Sequence, residues 1–288
     1  MSERQPTIVV TGSTGHVGGL VARELARRDV SMRLLVRDPS RAPDLPTADV
    51  VVAEYADGAS LDRGLNEGDR VFMVSLHEGP QRRVALHRSF VEAAARRGVG
   101  RVVYLSFLAA GPDAVFLHAR SHGATERMLA DAGLSYTAIR GGMYADEIPG
   151  WFDKDGVATV PGGDGRMSFA LRRELAEAAV AVLTDPYNDR TVYDVTTPES
   201  VSMAELAAIA STATGRPYRY APRTDEEWEA GWRARGRLEW QIEAGLSSYA
   251  ALRAGEFDVV SDDFRALTGR EPTPIARIID ENADEMPL

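Results

Sequence analysis

The chain of 288 residues has no cysteine. That excludes disulfides, thiolate metal sites and cysteine nucleophiles, and it is the usage expected in a reducing cytoplasm. Lysine is almost absent: Lys154 is the only one. Basic surplus is missing too. The formal net charge is -10, which argues against a nucleic-acid partner, because phosphate backbones are bound by a basic face. No apolar run reaches the roughly 18 residues of a membrane span, so no membrane association is expected. Met1–Pro6 carries no apolar signal core and leads straight into the first apolar run.

What is present begins with 44% apolar residues, enough for a sizeable core. The length is near the limit of one core, so one large domain, or one with a smaller lobe, is expected. The most informative stretch is Thr11-Gly12-Ser13-Thr14-Gly15-His16-Val17-Gly18. It follows the apolar run Thr7–Val10 and precedes a helical pattern over Leu20–Arg28. A strand, a glycine-rich turn and a helix N-terminus make a site for a dinucleotide pyrophosphate. Gly12 permits the tight turn, Gly15 the approach of phosphate to backbone, and Gly18 the close packing of helix on strand. The spacing is G-x-x-G-x-x-G; the position between strand and helix gives it its weight.

Strand and helix patterns then alternate. Strands are expected at Met32–Val36, Asp49–Ala53, Arg70–Val74, Arg101–Leu105 and Tyr136–Arg140. Helices are expected at Ser60–Leu65, at Gln81–Arg97 with an apolar stripe of Val84, Leu86, Phe90, Val91 and Ala94, and at His122–Ala132. This alternation predicts an α/β fold: a Rossmann-type doubly wound parallel sheet with helices on both faces. Ligands of such sheets lie at the carboxyl ends of the strands. Later come helices at Arg172–Thr184, Met203–Thr214 and Thr224–Leu246, a strand at Thr191–Val195 and a loop over Gly150–Arg166. Residues 1–145 are read as the dinucleotide-binding domain. Residues 146–288 are read as a smaller substrate-side lobe interleaved with it, and the acidic end after Asn282 is expected to fray. Trp228, Trp232 and Trp240 fit either helix packing or a pocket lid.

The second strand ends in Arg37, where NAD-specific folds place an acidic ribose acceptor. A guanidinium suits a 2′-phosphate, and Arg41 is close enough to assist, so NADP(H) is favoured. The competing reading makes Arg37 an ordinary exposed arginine and Asp38 the ribose acceptor; Asp38-Pro39 is better suited to starting a turn. The Tyr-x-x-x-Lys pair of short-chain dehydrogenases is missing, since the residue four before Lys154 is Gly150. His118 and His122, four apart, stand in that region instead. A zinc pair would call for the H-E-x-x-H pattern, but residue 119 is alanine, so no metal is expected. The histidines serve either as proton donor or substrate partner, or as surface and capping residues. Ser106, after the fifth strand, either faces the nicotinamide or ends the strand.

Several stretches together carry a family resemblance. They are Thr11–Gly18, Leu35–Pro39, Glu54–Asp57, Val99–Ser106, His122–Gly133 and Tyr136–Arg140, with a looser continuation through Thr191–Val195. The chain resembles the NmrA-like branch of atypical short-chain dehydrogenases/reductases, within it the NADPH:quinone oxidoreductases and triphenylmethane reductases. The resemblance implies that Gly12, Thr14, Gly15, His16, Val17 and Gly18 line the pyrophosphate and Arg37 holds the 2′-phosphate. It places Val74, Ser75 and Leu76 along the cofactor, with Ser106 and Phe107 bordering the nicotinamide. His122 falls at the position of the usual lysine, where these reductases also carry histidine, and His118 at that of the tyrosine. Gly141, Gly142, Met143 and Tyr144 are expected to wall the substrate pocket; Gly141 departs from the asparagine frequent in the family.

Three functions follow from that reading. The first is an NADPH-dependent oxidoreductase passing hydride to a quinone-like, planar, electron-poor acceptor, with Ser106, His118 and His122 as catalytic candidates. The second is a non-catalytic NADP(H) sensor that regulates a partner. The third is a tailoring ketoreductase or isomerase with His118 as the acid. Its partners would be a small-molecule acceptor and, at most, a second copy, the protein being a monomer or homodimer.

Overall fold

The computed structural model describes residues 7–287; the expectation drawn from Met1–Pro6 lies outside the described residues. Two compact units are distinguished by their internal contacts. One runs to Ser106 and takes in Ser121–Arg140 and Arg172–Tyr193; the other comprises Phe107–Arg120, Gly141–Leu171 and the chain from Asp194 onward.

The first unit is built on a seven-stranded sheet. In chain order its elements are β1 (Ile8–Thr11), α1 (His16–Arg27), β2 (Met32–Val36), β3 (Ala48–Val52), α2 (Gly58–Gly64), β4 (Arg70–Met73), α3 (Pro80–Arg96), β5 (Arg101–Phe107), α4 (Leu117–Asp131), β6 (Tyr136–Gly141), α5 (Arg172–Thr184) and β7 (Val192–Val195). The strands lie in the order β7-β6-β5-β4-β1-β2-β3. From β3 to β5 every neighbour pairs in parallel, with Ile8 opposite Met32 on one side and Arg70 on the other. The Rossmann-type doubly wound sheet expected from the alternation is therefore the fold observed. Chain order reverses between β1 and β4, and that switch point opens a crevice at the carboxyl ends of the strands.

Side chains alternate across the strands. Val9, Val71, Met73, Val102 and Tyr104 join Leu61 of α2, Phe90 and Val91 of α3 and Leu129 of α4 in one core. Their neighbours Val10, Phe72 and Val103 are equally buried and face the opposite layer, where α1 packs on α5. Fully burying one such side chain contributes about 1.5–3 kcal/mol, so these two layers fix the sheet. The buried stripe of α3 is not the one expected from its apolar residues. Arg83 and His87 lie on it with Phe90, Val91 and Ala94, whereas Val84 and Leu86 are only half-buried.

The second unit has its own core, gathered around Phe152, Phe169, Leu206, Phe257 and Ile278. Its helices are α6 (Met203–Thr214), α7 (Asp225–Ala234), α8 (Glu239–Arg253), α9 (Asp263–Thr268) and α10 (Ile275–Glu281). The single helix expected over Thr224–Leu246 is two. Gly236, at φ 69° in the left-handed region, turns the chain between them. Trp228 stacks on Trp232 at 4.3 Å and meets Tyr249 edge-on. A Cβ on Gly245 would come within 2.3 Å of the Trp228 ring, so this part of the tryptophan stripe is packing. The chain end does not fray through Pro287: Met286 is 3% exposed, and the Tyr218 hydroxyl donates to the Pro287 carbonyl. Among the described residues no helix is long and apolar enough to cross a membrane.

Candidate functional site

The β1–α1 turn has the geometry of an anion cradle. Gly12 sits at φ +64°, and a Cβ there would stand 3.0 Å from Cβ of Val74. A Cβ on Gly18 would stand 2.3 Å from the Gly12 carbonyl oxygen, so only glycine lets the helix approach the turn this closely. Gly15 is the N-cap and offers no capping side chain, and the first turn of α1 holds no acidic residue. The amides at its N-terminus are left for an anion, which the helix dipole favours. Thr14, Gly15 and His16 are exposed, while Val17 and Gly18 are buried. Ser13 Oγ is buried and makes no hydrogen bond among the described residues. These features fit a dinucleotide pyrophosphate.

Arg37 follows β2 and lines a cleft of about 550 Å³ with Val50–Glu54, Asp57, Ser60 and Arg63. Among the described residues it forms no ion pair. Asp38 is engaged elsewhere: its Oδ1 accepts from the Ser40 amide at 3.0 Å and the Ser40 hydroxyl at 2.6 Å, and these bonds hold its carboxyl below its ordinary range. Asp38 thus caps the turn, as Asp-Pro predicts, with the Arg41 charge also acting on it, and its carboxylate is not bonded to Arg37.

Where β4 ends, Val74–Leu76 is held by side chains. The Val74 amide donates to Thr11 Oγ1 at 3.0 Å, and the Tyr55 hydroxyl donates to the Val74 carbonyl at 3.1 Å. The Leu76 amide donates to His87 Nε2 at 3.3 Å, and Arg83 Nε donates to the Leu76 carbonyl at 2.8 Å. Thr125 gives its hydroxyl hydrogen to the Ser121 carbonyl. The 2.9 Å contact between His87 Nδ1 and Thr125 Oγ1 therefore has the ring as donor. His87 is a neutral Nδ1–H tautomer by this assignment from the network. Burial, helped by the Arg83 charge, pulls its pKa down to about 3. Arg83 also donates to Ser121 Oγ at 3.2 Å, so α3 ties the β4 exit to α4.

Tyr104 of β5 is fully buried, and its hydroxyl lies 2.9 Å from His122 Nδ1. Burial raises its pKa, so the phenol keeps its proton. Ser106 Oγ donates to Glu126 Oε1 at 2.6 Å. Glu126 is gripped in turn by Arg140, Nε to Oε1 at 2.9 Å and Nη2 to Oε2 at 2.5 Å. The Ser106 proton is thereby committed, which leaves its oxygen only acceptor capacity. Sequence reading gave neither Glu126 nor Arg140 a role in the site. The signal was a carboxylate on α4 and a cation ending β6, both at positions an α/β core reserves for apolar side chains.

In the second unit, the rings of Phe107, Phe116 and Phe257 meet edge-on, with centroids 5.1–5.7 Å apart. The His118 ring lies edge-on to Phe116 at 5.3 Å and to Trp240 at 6.2 Å. His118 and His122 share α4 but have different surroundings. That helix begins at Leu117, five residues before the start expected from sequence, because its capping partners are remote. Glu256 accepts from the Val115 and Phe116 amides, and Ser247 Oγ from the Leu117 amide. Gly141 accepts from the Leu108 amide at 3.0 Å. A Cβ on Gly142 would come within 2.8 Å of the Ser168 carbonyl. Met143 and Tyr144 pair in parallel with Phe169 and Ala170 and are half-buried.

Comparison with known proteins gives the family and the fold. Residues 12–186 match an NAD(P)H-binding family. The chain is 30% identical to the NAD(P)H azoreductase of Xenophilus azovorans, over 96% of this chain and 98% of the relative. It is 27% identical, at a TM-score of 0.86, to the NADPH-dependent quinone oxidoreductase of Escherichia coli complexed with NADPH; 96% of this chain and 99% of that one are covered. The triphenylmethane reductase of Citrobacter sp., complexed with NADP(H), superimposes at a TM-score of 0.84 with 27% identity and the same coverage.

Proposed function

The chain belongs to the NAD(P)H-binding oxidoreductases of the NmrA-like type, and from that premise we propose that it reduces a planar, electron-poor acceptor of the quinone class with NADPH. The observation that carries the choice of cofactor is Arg37, unpaired at the end of β2 while Asp38 is taken up by Ser40. A guanidinium placed there binds a 2′-phosphate through charge and a two-pronged hydrogen bond. Bound NADPH supplies the hydride.

The chain's own residues supply the rest. Gly12, Thr14, Gly15, His16, Val17 and Gly18 receive the pyrophosphate at the N-terminus of α1. Val74, Ser75 and Leu76 form a fixed rib beside the glycine turn, and Ser106 presents an acceptor oxygen. His122, oriented by Tyr104, holds the proton that the reduced acceptor takes up. Phe107 is assigned with Ser106 to the nicotinamide, and Gly141, Gly142, Met143 and Tyr144, with His118 as a catalytic candidate, to the acceptor. Relatives named for azo compounds, quinones and triphenylmethane compounds support this substrate class. Such conjugated acceptors need orientation and a dry surrounding more than a strong acid, in keeping with a histidine in place of a tyrosine–lysine pair.

The test is steady-state oxidation of NADPH with 1,4-benzoquinone and menadione. Saturable turnover is expected, lost in Gly15→Trp, whose indole fills the cradle. Absence of saturable turnover above that control rejects the assignment.

A further inference from the structure

We infer that Thr11, Tyr55, Arg83 and His87 are positioning residues that hold Val74-Ser75-Leu76 in the one shape that receives the cofactor. The inference rests on the NADPH reading above and gives Thr11, Tyr55, Arg83 and His87 a role that the motif reading did not assign. The ladder between β1 and β4 stops at Phe72, and that between β4 and β5 at Met73. Beyond it a backbone would ordinarily turn to water or fray. Here all four main-chain polar groups flanking Ser75 are taken by side chains: the Val74 amide by Thr11, the Val74 carbonyl by Tyr55, the Leu76 amide by His87 and the Leu76 carbonyl by Arg83.

The held segment is the one that faces the glycine turn. All three outer carbons of Val74 lie 3.0–3.2 Å from where a Cβ on Gly12 would be. A shift of this rib by a few tenths of an ångström would fill or open the cradle. The tethers are stiff. Arg83 is 5% exposed and His87 fully buried, and Tyr55 is braced against Phe90 at 5.0 Å. His87 meets both of its hydrogen bonds only as a neutral Nδ1–H ring, with a donor on one side and an acceptor on the other. A glutamine side chain carries the same pair of functions; leucine carries neither.

The experiment compares the wild-type full chain with His87→Leu and His87→Gln. NADPH affinity is measured by calorimetry at a temperature where each is folded by circular dichroism, and Leu76 amide exchange by NMR without cofactor. In His87→Leu, NADPH affinity should fall about tenfold or more and the half-buried Leu76 amide should exchange at least about tenfold faster, as expected for a donor that has lost its partner. His87→Gln should recover most of both. Should His87→Leu fail to fold, Tyr55→Phe, which deletes one tether and keeps the ring, should weaken NADPH severalfold. Wild-type affinity in folded His87→Leu, or equal impairment in the glutamine variant, overturns the positioning role alone. Failure of the wild type to bind NADPH overturns the cofactor reading with it.

Discussion

The Tyr104 hydroxyl and His122 Nδ1 are 2.9 Å apart, both inside the protein. Each is the other's polar partner in surroundings with little water. Tyr104→Phe keeps the ring and removes the oxygen, leaving the imidazole nitrogen short of that partner. Urea unfolding should show a loss of about 1–3 kcal/mol. The ¹⁵N resonances of the His122 imidazole should move as its tautomers redistribute; an unmoved spectrum would mean that the phenol does not orient the ring.

Two glycines of the same turn should respond in opposite ways to the same methyl group. In Gly18→Ala the new carbon meets the Gly12 carbonyl at 2.3 Å, and backbone cannot give way cheaply; in Gly15→Ala the distance to that oxygen is 3.4 Å. Thermal unfolding should place Gly18→Ala well below wild type, by a free energy on the order of the 1–3 kcal/mol typical of overpacking. Gly15→Ala should remain close to wild type in stability.

Arg37→Ala should weaken NADPH by about 10- to 100-fold, the range for losing a charge-assisted hydrogen bond of ~1.5–3 kcal/mol, while leaving NADH unchanged. Calorimetric titration with both cofactors measures the contrast. Equal losses for the two would assign Arg37 to the fold rather than to the 2′-phosphate.

The acid side of the stability profile should carry a contribution from His87. Its pKa is about 3 in the folded protein, against the ordinary histidine value of 6.5. As pH falls below about 6.5 the unfolded chain takes up a proton that the folded chain refuses. Stability from this group is thus intact above that pH and is lost progressively toward pH 3. The slope is at most about 1.4 kcal/mol per pH unit. The difference between wild type and His87→Gln, measured by urea unfolding at pH 7 and pH 5, isolates it from the carboxylates.

Glu126 joins Ser106 to Arg140. Its side chain is 8% exposed and that of Arg140 22%. Glu126→Ala removes the carboxylate that both Arg140 and Ser106 contact and should cost about 3 kcal/mol, the lower part of the range for breaking a buried pair. Ser106→Ala removes a single hydroxyl and should cost about 1 kcal/mol. The two losses, measured by denaturant unfolding with the double variant, should fall short of additivity because one carboxylate serves both.

Much of the sheet was legible because local rules sufficed. β2 and β3 read as apolar runs, Gly12 and Gly18 as backbone demands of a strand–helix turn, and Asp38-Pro39 as a turn that frees Arg37. What escaped was whatever depends on partners far along the chain. The start of α4 at Leu117 has no local cap signal, since Glu256 and Ser247 provide it. Arg83 and His87 were overlooked because an apolar stripe was sought on α3, and polar side chains that occupy the buried face are invisible to that pattern. Likewise nothing in the spacing of Thr11, Tyr55, Arg83 and His87 announces that they converge on four successive peptide units.

Because the rib after β4 is shaped by four scattered side chains and not by a neighbouring strand, its contour can be edited by point substitution with the sheet left standing. Mutational libraries confined to those four codons would therefore reshape the cofactor-facing backbone without touching Gly12 and Gly18, where crowding forbids a side chain.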